Sequence, residues 1–206
     1  MDPRICSVLQ QLPLRLRERG GARKGAGRPR GPRVSHHARP GFRKLPVHTT
    51  LRVRPDVRTL RRREMFGAVG GAIGAGCLRE RFRVVHFTVL GNHLQLIVEA
   101  EDEVALARGM QGLGVRIARA VNRALARRGS VFADHYHAHL LRSPTEVAHA
   151  IAYVLGNYLH HFPDVPVEMD SRDPWSSDVR FDLVAQPPLW LLRVGWQRAR
   201  RRRANG

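Results

Sequence analysis

Residues 82–100 read FRVVHFTVLGNHLQLIVEA, and no other stretch restricts the fold so tightly. β-Branched and aromatic residues crowd both halves, which favours extended backbone over helix. Only Gly91 and Asn92 separate the halves. Two residues cannot make a parallel crossover, so Phe82–Leu90 and His93–Ala100 are expected to pair as an antiparallel hairpin. Side chains alternate along a strand, which sends His93 and Gln95 to one face and Leu94 to the other.

The flanks supply the rest of a sheet. Val47, Thr49, Leu51 and Val53 alternate with His48, Thr50, Arg52 and Arg54 up to Pro55, the pattern of a strand stopped by proline. Asp56 can cap the segment that follows, in which Val57, Leu60, Met65, Val69, Ile73 and Leu78 suit a helix. Each glycine within it weakens that helix by roughly 1 kcal/mol against alanine, which leaves its continuity open. Glu103–Arg128 reads as a long helix with Val104, Leu106, Met110, Leu113, Ile117, Val121 and Leu125 inward, stopped by Gly129. A fourth strand is expected over Ser130–Arg142. Ser143, Pro144 and Glu146 then form a capping box with proline at the first helical position. The order strand-helix-strand-strand-helix-strand, with one further helix, defines an α+β class. It is a ferredoxin-like βαββαβ sheet with helices on one face, followed by a C-terminal helix.

This pattern occupies residues 45–164. Before it, residues 1–44 form a basic arm whose GGARKGAGRPRGPRVSHHARPGFRK stretch is too rich in Gly, Pro and Arg to bury a core. A short helix at Ile5–Arg17 is compatible with the residues preceding it. After the domain, residues 165–206 carry Trp175, Trp190 and Trp196. Packing of PPLWLLRVGW back on the core is expected there, with base stacking as the other reading.

Charge narrows the partners. The chain carries 36 Lys+Arg against 17 Asp+Glu, a formal +19. The basic-to-acidic counts are 12 to 2 in residues 1–44, 16 to 10 in 45–164 and 8 to 5 in 165–206. Only Lys24 and Lys44 are lysines, and the arginine fork suits phosphate. An arginine-rich genome would produce the same bias, so charge favours a nucleic-acid partner without specifying chemistry. Cys6 and Cys77 stand far apart, which argues against a zinc finger or a disulfide scaffold. No apolar run approaches the roughly 20 residues of a membrane span, and no charged-then-apolar leader opens the sequence. A cytoplasmic, nucleoid-associated protein with no membrane contact is expected.

An imidazole and an amide on one strand face can hold Mg²⁺ or Mn²⁺. Tyr153 and Asn157 share a helix face, with His149 one turn earlier. A phenol beside a cation can be activated as a nucleophile, so these groups suggest attack on a phosphodiester. The bland alternatives are a polar strand edge for His93 and Gln95, and an amphipathic core position for Tyr153. Tyr136 and Tyr158 are competing nucleophiles, although Tyr158 falls off the face of His149 and Asn157. His135, His137 and His139 would share one strand face able to take zinc or copper, with Asp134 on the other. Arg61, Arg62, Arg63, Arg142 and the run 200–203 are solvated charge or phosphate contacts.

GNHLQLIVEA resembles the metal-binding strand of HUH endonucleases. GSVFADHYHAHLL and AYVLGNY fall in the places and order of the later motifs of single-tyrosine transposases, especially the REP-associated tyrosine transposases. The likeness covers roughly Pro46 to His161. It implies that Tyr153 is the nucleophile, forming a 5′-phosphotyrosine bond with single-stranded or hairpin DNA and freeing a 3′-OH. It further implies that His93 is a ligand of Mg²⁺ or Mn²⁺, with Asn157 as a third polar ligand from the tyrosine helix. His137 matches the family's Tyr-His and, with His149, is a candidate for DNA contact. Gln95 stands where the family has histidine, although some replication initiators of the superfamily carry His-Leu-Gln. The implied protein is a transposase-like endonuclease and strand transferase, as a monomer or homodimer. A DNA- or RNA-binding protein that keeps the fold without cleavage is the alternative.

Overall fold

The computed structural model describes residues 44–161 and 172–204; for 158–161 and 202–204 it describes backbone alone. The basic arm through residue 43, its expected helix and the Tyr158 side chain lie outside the described residues. Strands β1 (Val47–Arg52), β2 (Leu78–Arg79), β3 (Phe82–Val89), β4 (His93–Ala100) and β5 (His137–Leu140) form one sheet in the order β2-β3-β4-β1-β5. Every pairing is antiparallel. The hairpin of β3 and β4 closes where Leu90 N donates to His93 O at 2.9 Å. The first strand lies centrally, between β4 and β5, as the split βαβ order requires. Two-residue β2 is an addition that the sequence pattern did not suggest.

Alternation sorts the sheet's side chains into two cores. Leu51, Phe87, Leu94, Leu96 and Val98 meet α1 (Arg63–Gly74) and α2 (Glu103–Ala124) through Met65, Val69, Ile73, Leu106, Met110, Leu113 and Ile117. Val85 and Ile97, on the opposite face, meet α3 (Pro144–His161) through Val147, Ala150, Ile151 and Val154. Helices therefore cover one face only as far as α1 and α2 are concerned; α3 takes the other. A register shift between Val84 and His86 marks a bulge that turns Val85 toward α3.

Several boundaries differ from expectation for local reasons. α1 starts at Arg63 rather than Val57, because Leu60 N donates to Gly91 O at 2.8 Å and ties the preceding turn to the hairpin. Asp102 caps α2 by accepting from Ala105 N at 2.7 Å. α2 ends at Ala124, four residues early, and the Asn122 amide donates to Gly129 O at 2.8 Å across the reversal. Val104, expected inward, is 54% exposed, and the buried stripe begins at Ala105 and Leu106. Gly109 is required by close approach: a Cβ there would lie 2.2 Å from the Phe82 ring. β5 is short because Asp134 accepts from His135 N at 2.8 Å, bending the chain before pairing resumes at His137. His135 therefore does not join His137 and His139 on a strand face. At α3, Ser143 Oγ accepts from Glu146 N at 3.2 Å, while the Glu146 carboxylate accepts from Arg142 N at 2.7 Å.

The C-terminal segment completes this core. Val89 N donates to Trp175 O, Ser177 N to Phe87 O and Ala185 N to Val84 O, each at 2.9 Å. The strand edge that β2 leaves open is thereby covered. Asp173, 1% exposed, accepts Arg61 through both oxygens at 2.7 and 2.9 Å and Thr88 Oγ1 at 3.1 Å. Trp175 packs edge-on to Phe66, and Leu183 rests on Gly70 and Gly74 of α1. Leu192 enters the α3 core, with Trp196 of α4 (Trp196–Ala204) packed against it. Among the described residues no helix is long and apolar enough to cross a membrane.

Candidate active site

Cross-strand register places the polar side chains of the α3 face in rows. Arg52 stands opposite His93. In the next row lie Thr88, Gln95, Thr50 and His137, and beyond it His86, Ile97, His48 and His139. Successive rows are about 7 Å apart, two residues along the strand. α3 enters from the far end, where Leu141 N donates to Pro46 O at 2.9 Å, and runs back over these rows.

His93 Nδ1 lies 2.7 Å from Asn92 Oδ1. Because that oxygen can only accept, the neutral ring carries its proton on Nδ1 and its lone pair on Nε2. Gln95 Nε2 sits 3.4 Å from this lone pair. Gln95 is 2% exposed, and its Oε1 has no hydrogen-bond partner among the described residues. A buried acceptor left so costs about 1–3 kcal/mol. Asn157, 3% exposed, leaves its buried Nδ2 unpartnered as well, and a half-turn of the amide would present oxygen in its place. No three His, Cys, Asp or Glu side chains among the described residues converge to hold a metal. One imidazole and neutral amide oxygens nonetheless fit a hard divalent cation, and they fit without cancelling its charge.

Tyr153 is half exposed, and its ring meets His48 edge-on at 5.9 Å between centroids and 80° between planes. Asn157 lies one turn, about 6 Å, further along α3. His48 is the residue that reading the sequence missed. Its Nε2 is buried without a hydrogen-bond partner among the described residues. Burial, and then His139 and His137, pull its pKa down to about 4, so the ring is neutral near pH 7. Strand alternation had placed His48 with Thr50 and Arg52; only the pairing of β1 with β5 sets it beside His139. His86 is likewise lowered to about 4 by burial.

The expected nucleic-acid contacts do not gather in one place. His137 is exposed in the Gln95 row, on the edge strand. Arg62 and Arg63 are exposed at the start of α1, near the hairpin turn. Arg61 is committed to Asp173 inside the fold. Arg142 lies at the opposite end of the sheet, roughly 20 Å away along six-residue β1. His149 lines a cleft between α3 and α4 with Trp190 and Arg198.

The sequence matches no protein-family model and no curated protein. Among solved structures, the fold is similar to that of a REP-associated tyrosine transposase bound to a REP hairpin. The TM-score is 0.52 at 17% identity, over 71% of this chain and 84% of that one. The shared feature at that identity is the fold: an antiparallel α+β sheet with its helices.

Proposed function

We propose that this protein binds single-stranded or hairpin DNA and cleaves and rejoins it by transesterification, with Tyr153 as nucleophile. The observation that carries this reading is the half-exposed Tyr153 phenol standing on the sheet face that also bears His93 and the buried, unpartnered Gln95 oxygen. The fold shared with a hairpin-bound tyrosine transposase supports the choice of DNA.

In the proposed step, Tyr153 Oη attacks phosphorus and gives up its proton to water. An Oη–P bond forms, the P–O3′ bond breaks, and the leaving oxygen takes a proton to become a 3′-OH. One ester replaces another, so no nucleotide cofactor is consumed, and a 3′-OH can later reverse the exchange. A Mg²⁺ or Mn²⁺ ion, held by His93 Nε2, Gln95 Oε1 and the Asn157 amide, would favour the phenolate and polarise a phosphate oxygen. Exposed Arg52, opposite His93, is placed to hold the neighbouring backbone phosphate. His48, uncharged at neutral pH, packs the phenol without competing for the anionic strand.

Gln95 in a position suited to histidine favours a second reading, a DNA- or RNA-binding protein without cleavage. Labelled hairpin DNA incubated with the full chain and Mn²⁺ separates the two. A denaturation-resistant adduct, lost in Tyr153→Phe, supports the transposase-like reaction. Shifted but uncut DNA, with cleavage appearing only in Gln95→His, supports the binding protein.

A further inference from the structure

The apolar segment leading into α4 buries Leu192 and half-buries Leu189, Leu191 and Val194, but leaves its tryptophan exposed. Leu192 is 3% exposed within the α3 core, and Trp196 Nε1 donates to Leu192 O at 2.9 Å. Trp190, in the same segment, is 48% exposed. An indole has more apolar surface to gain from burial than either leucine beside it, so its position needs a reason.

That position is built. A Cβ on Gly195 would lie 2.7 Å from Trp190 Cζ3 and 3.0 Å from Cε3, so the ring rests on helix backbone that only glycine leaves bare. The Arg198 guanidinium stands 5.9 Å from the ring centroid. Pro144, Thr145 and His149 of α3 form the facing wall of a cleft of about 560 Å³, within the size range of small-ligand sites, about 300–1,000 Å³. Among the described residues its lining carries Arg198 and His149 and no acid. His149 is one helical turn from Tyr153, which puts the cleft beside the face described above.

We propose that this cleft takes one unpaired nucleobase of the DNA strand that passes Tyr153, stacked on Trp190 with a flanking phosphate on Arg198. The inference rests on the DNA-binding reading above. A half-exposed indole with a cation and no acid suits a flat, anionic nucleotide, and stacking accepts any base. Bases inside a duplex present no face to it, so the cleft would select single-stranded flanks over stem.

Affinity is measured with the full-length Tyr153→Phe chain and no added metal, so that cleavage plays no part. The probe is a hairpin with a single-stranded flank. Trp190→Ala should weaken binding roughly tenfold, the scale of one base–aromatic stack, with Trp190→Phe restoring most of it. Gly195→Ala, which fills the ring's seat, should weaken it too. An abasic nucleotide at one flank position should reproduce the loss and make Trp190→Ala silent. 5-Iododeoxyuridine at that position should crosslink to Trp190 on irradiation. Equal affinity of Trp190→Ala and the parent, or crosslinks only elsewhere, overturns the inference, even if the wild-type chain forms its adduct. A chain that crosslinks through Trp190 yet forms no adduct keeps this site and removes the catalytic reading.

Discussion

The Tyr153 phenol stands edge-on to the His48 imidazole, 5.9 Å between centroids, although the two residues come from opposite ends of the domain's sequence. His48 is partly buried and neutral, while Tyr153 is half exposed. The nucleophile proposed here is thus backed on one side by protein and open to a strand on the other. Tyr153→Phe keeps the ring on His48, so it should abolish the covalent adduct and leave urea stability within about 0.5 kcal/mol of the parent, as for surface changes generally.

His93 depends on Asn92 for its tautomer. Asn92→Ala removes the acceptor for Nδ1–H and so one of the contacts that orient the ring. Mn²⁺ affinity, followed by electron paramagnetic resonance of the free ion, should fall about 10–100-fold, the usual cost of losing such a partner. Gln95→His should move it the other way, since imidazole binds more tightly than an amide.

Stability should depend on pH in a way three groups shielded from water determine. His48 and His86 have folded pKa values of about 4, below the unfolded value near 6.5. Each therefore contributes stability above pH 6.5 that is lost as pH falls toward 4. Glu99 has its pKa raised to about 7, first by burial, against opposing effects of the Leu189 N–H and Arg83. Its contribution is present below pH 4.5 and lost as pH rises through 7. Between pH 4.5 and 6.5 the unfolded chain binds two extra protons at the histidines and one fewer at Glu99. Unfolding free energy should rise with pH at about 1.4 kcal/mol per unit there and peak near 6.5. Glu99→Gln should roughly double that slope in urea titrations at stepped pH.

Arg61 and Asp173 form an ion pair with side chains 13% and 0% exposed. Asp173→Ala leaves the largely buried guanidinium without its carboxylate and also removes the acceptor used by Thr88 and the Trp175 N–H. A loss of about 3–5 kcal/mol is expected, read by urea denaturation, with Arg61→Leu in the same chain recovering only part because Thr88 stays unpartnered.

Gly109→Ala tests the close approach of α2 to β3. The added methyl would meet the Phe82 ring at 2.2–2.7 Å, and Phe82 is 2% exposed. Overpacking of this kind should cost about 1–3 kcal/mol, reversing the gain alanine normally brings to a helix.

The sequence by itself determined what is periodic or short-ranged. The Gly91-Asn92 link specified the hairpin, alternation put His93 and Gln95 together, and Ser143, Pro144 and Glu146 placed the start of α3. Helical spacing likewise paired Tyr153 with Asn157. Tertiary structure decided what depends on pairing between distant segments. The place of β1 between β4 and β5 joined His48 to His139, and α3 crossing the opposite face brought Tyr153 to His48. The arginines show the limit most plainly: Arg61 and Arg62 are adjacent and chemically identical. One is held inside by Asp173, over a hundred residues away, and the other is left to solvent. Local pattern carries no record of a partner that far along the chain, because the free energy that binds it exists only once both segments are packed.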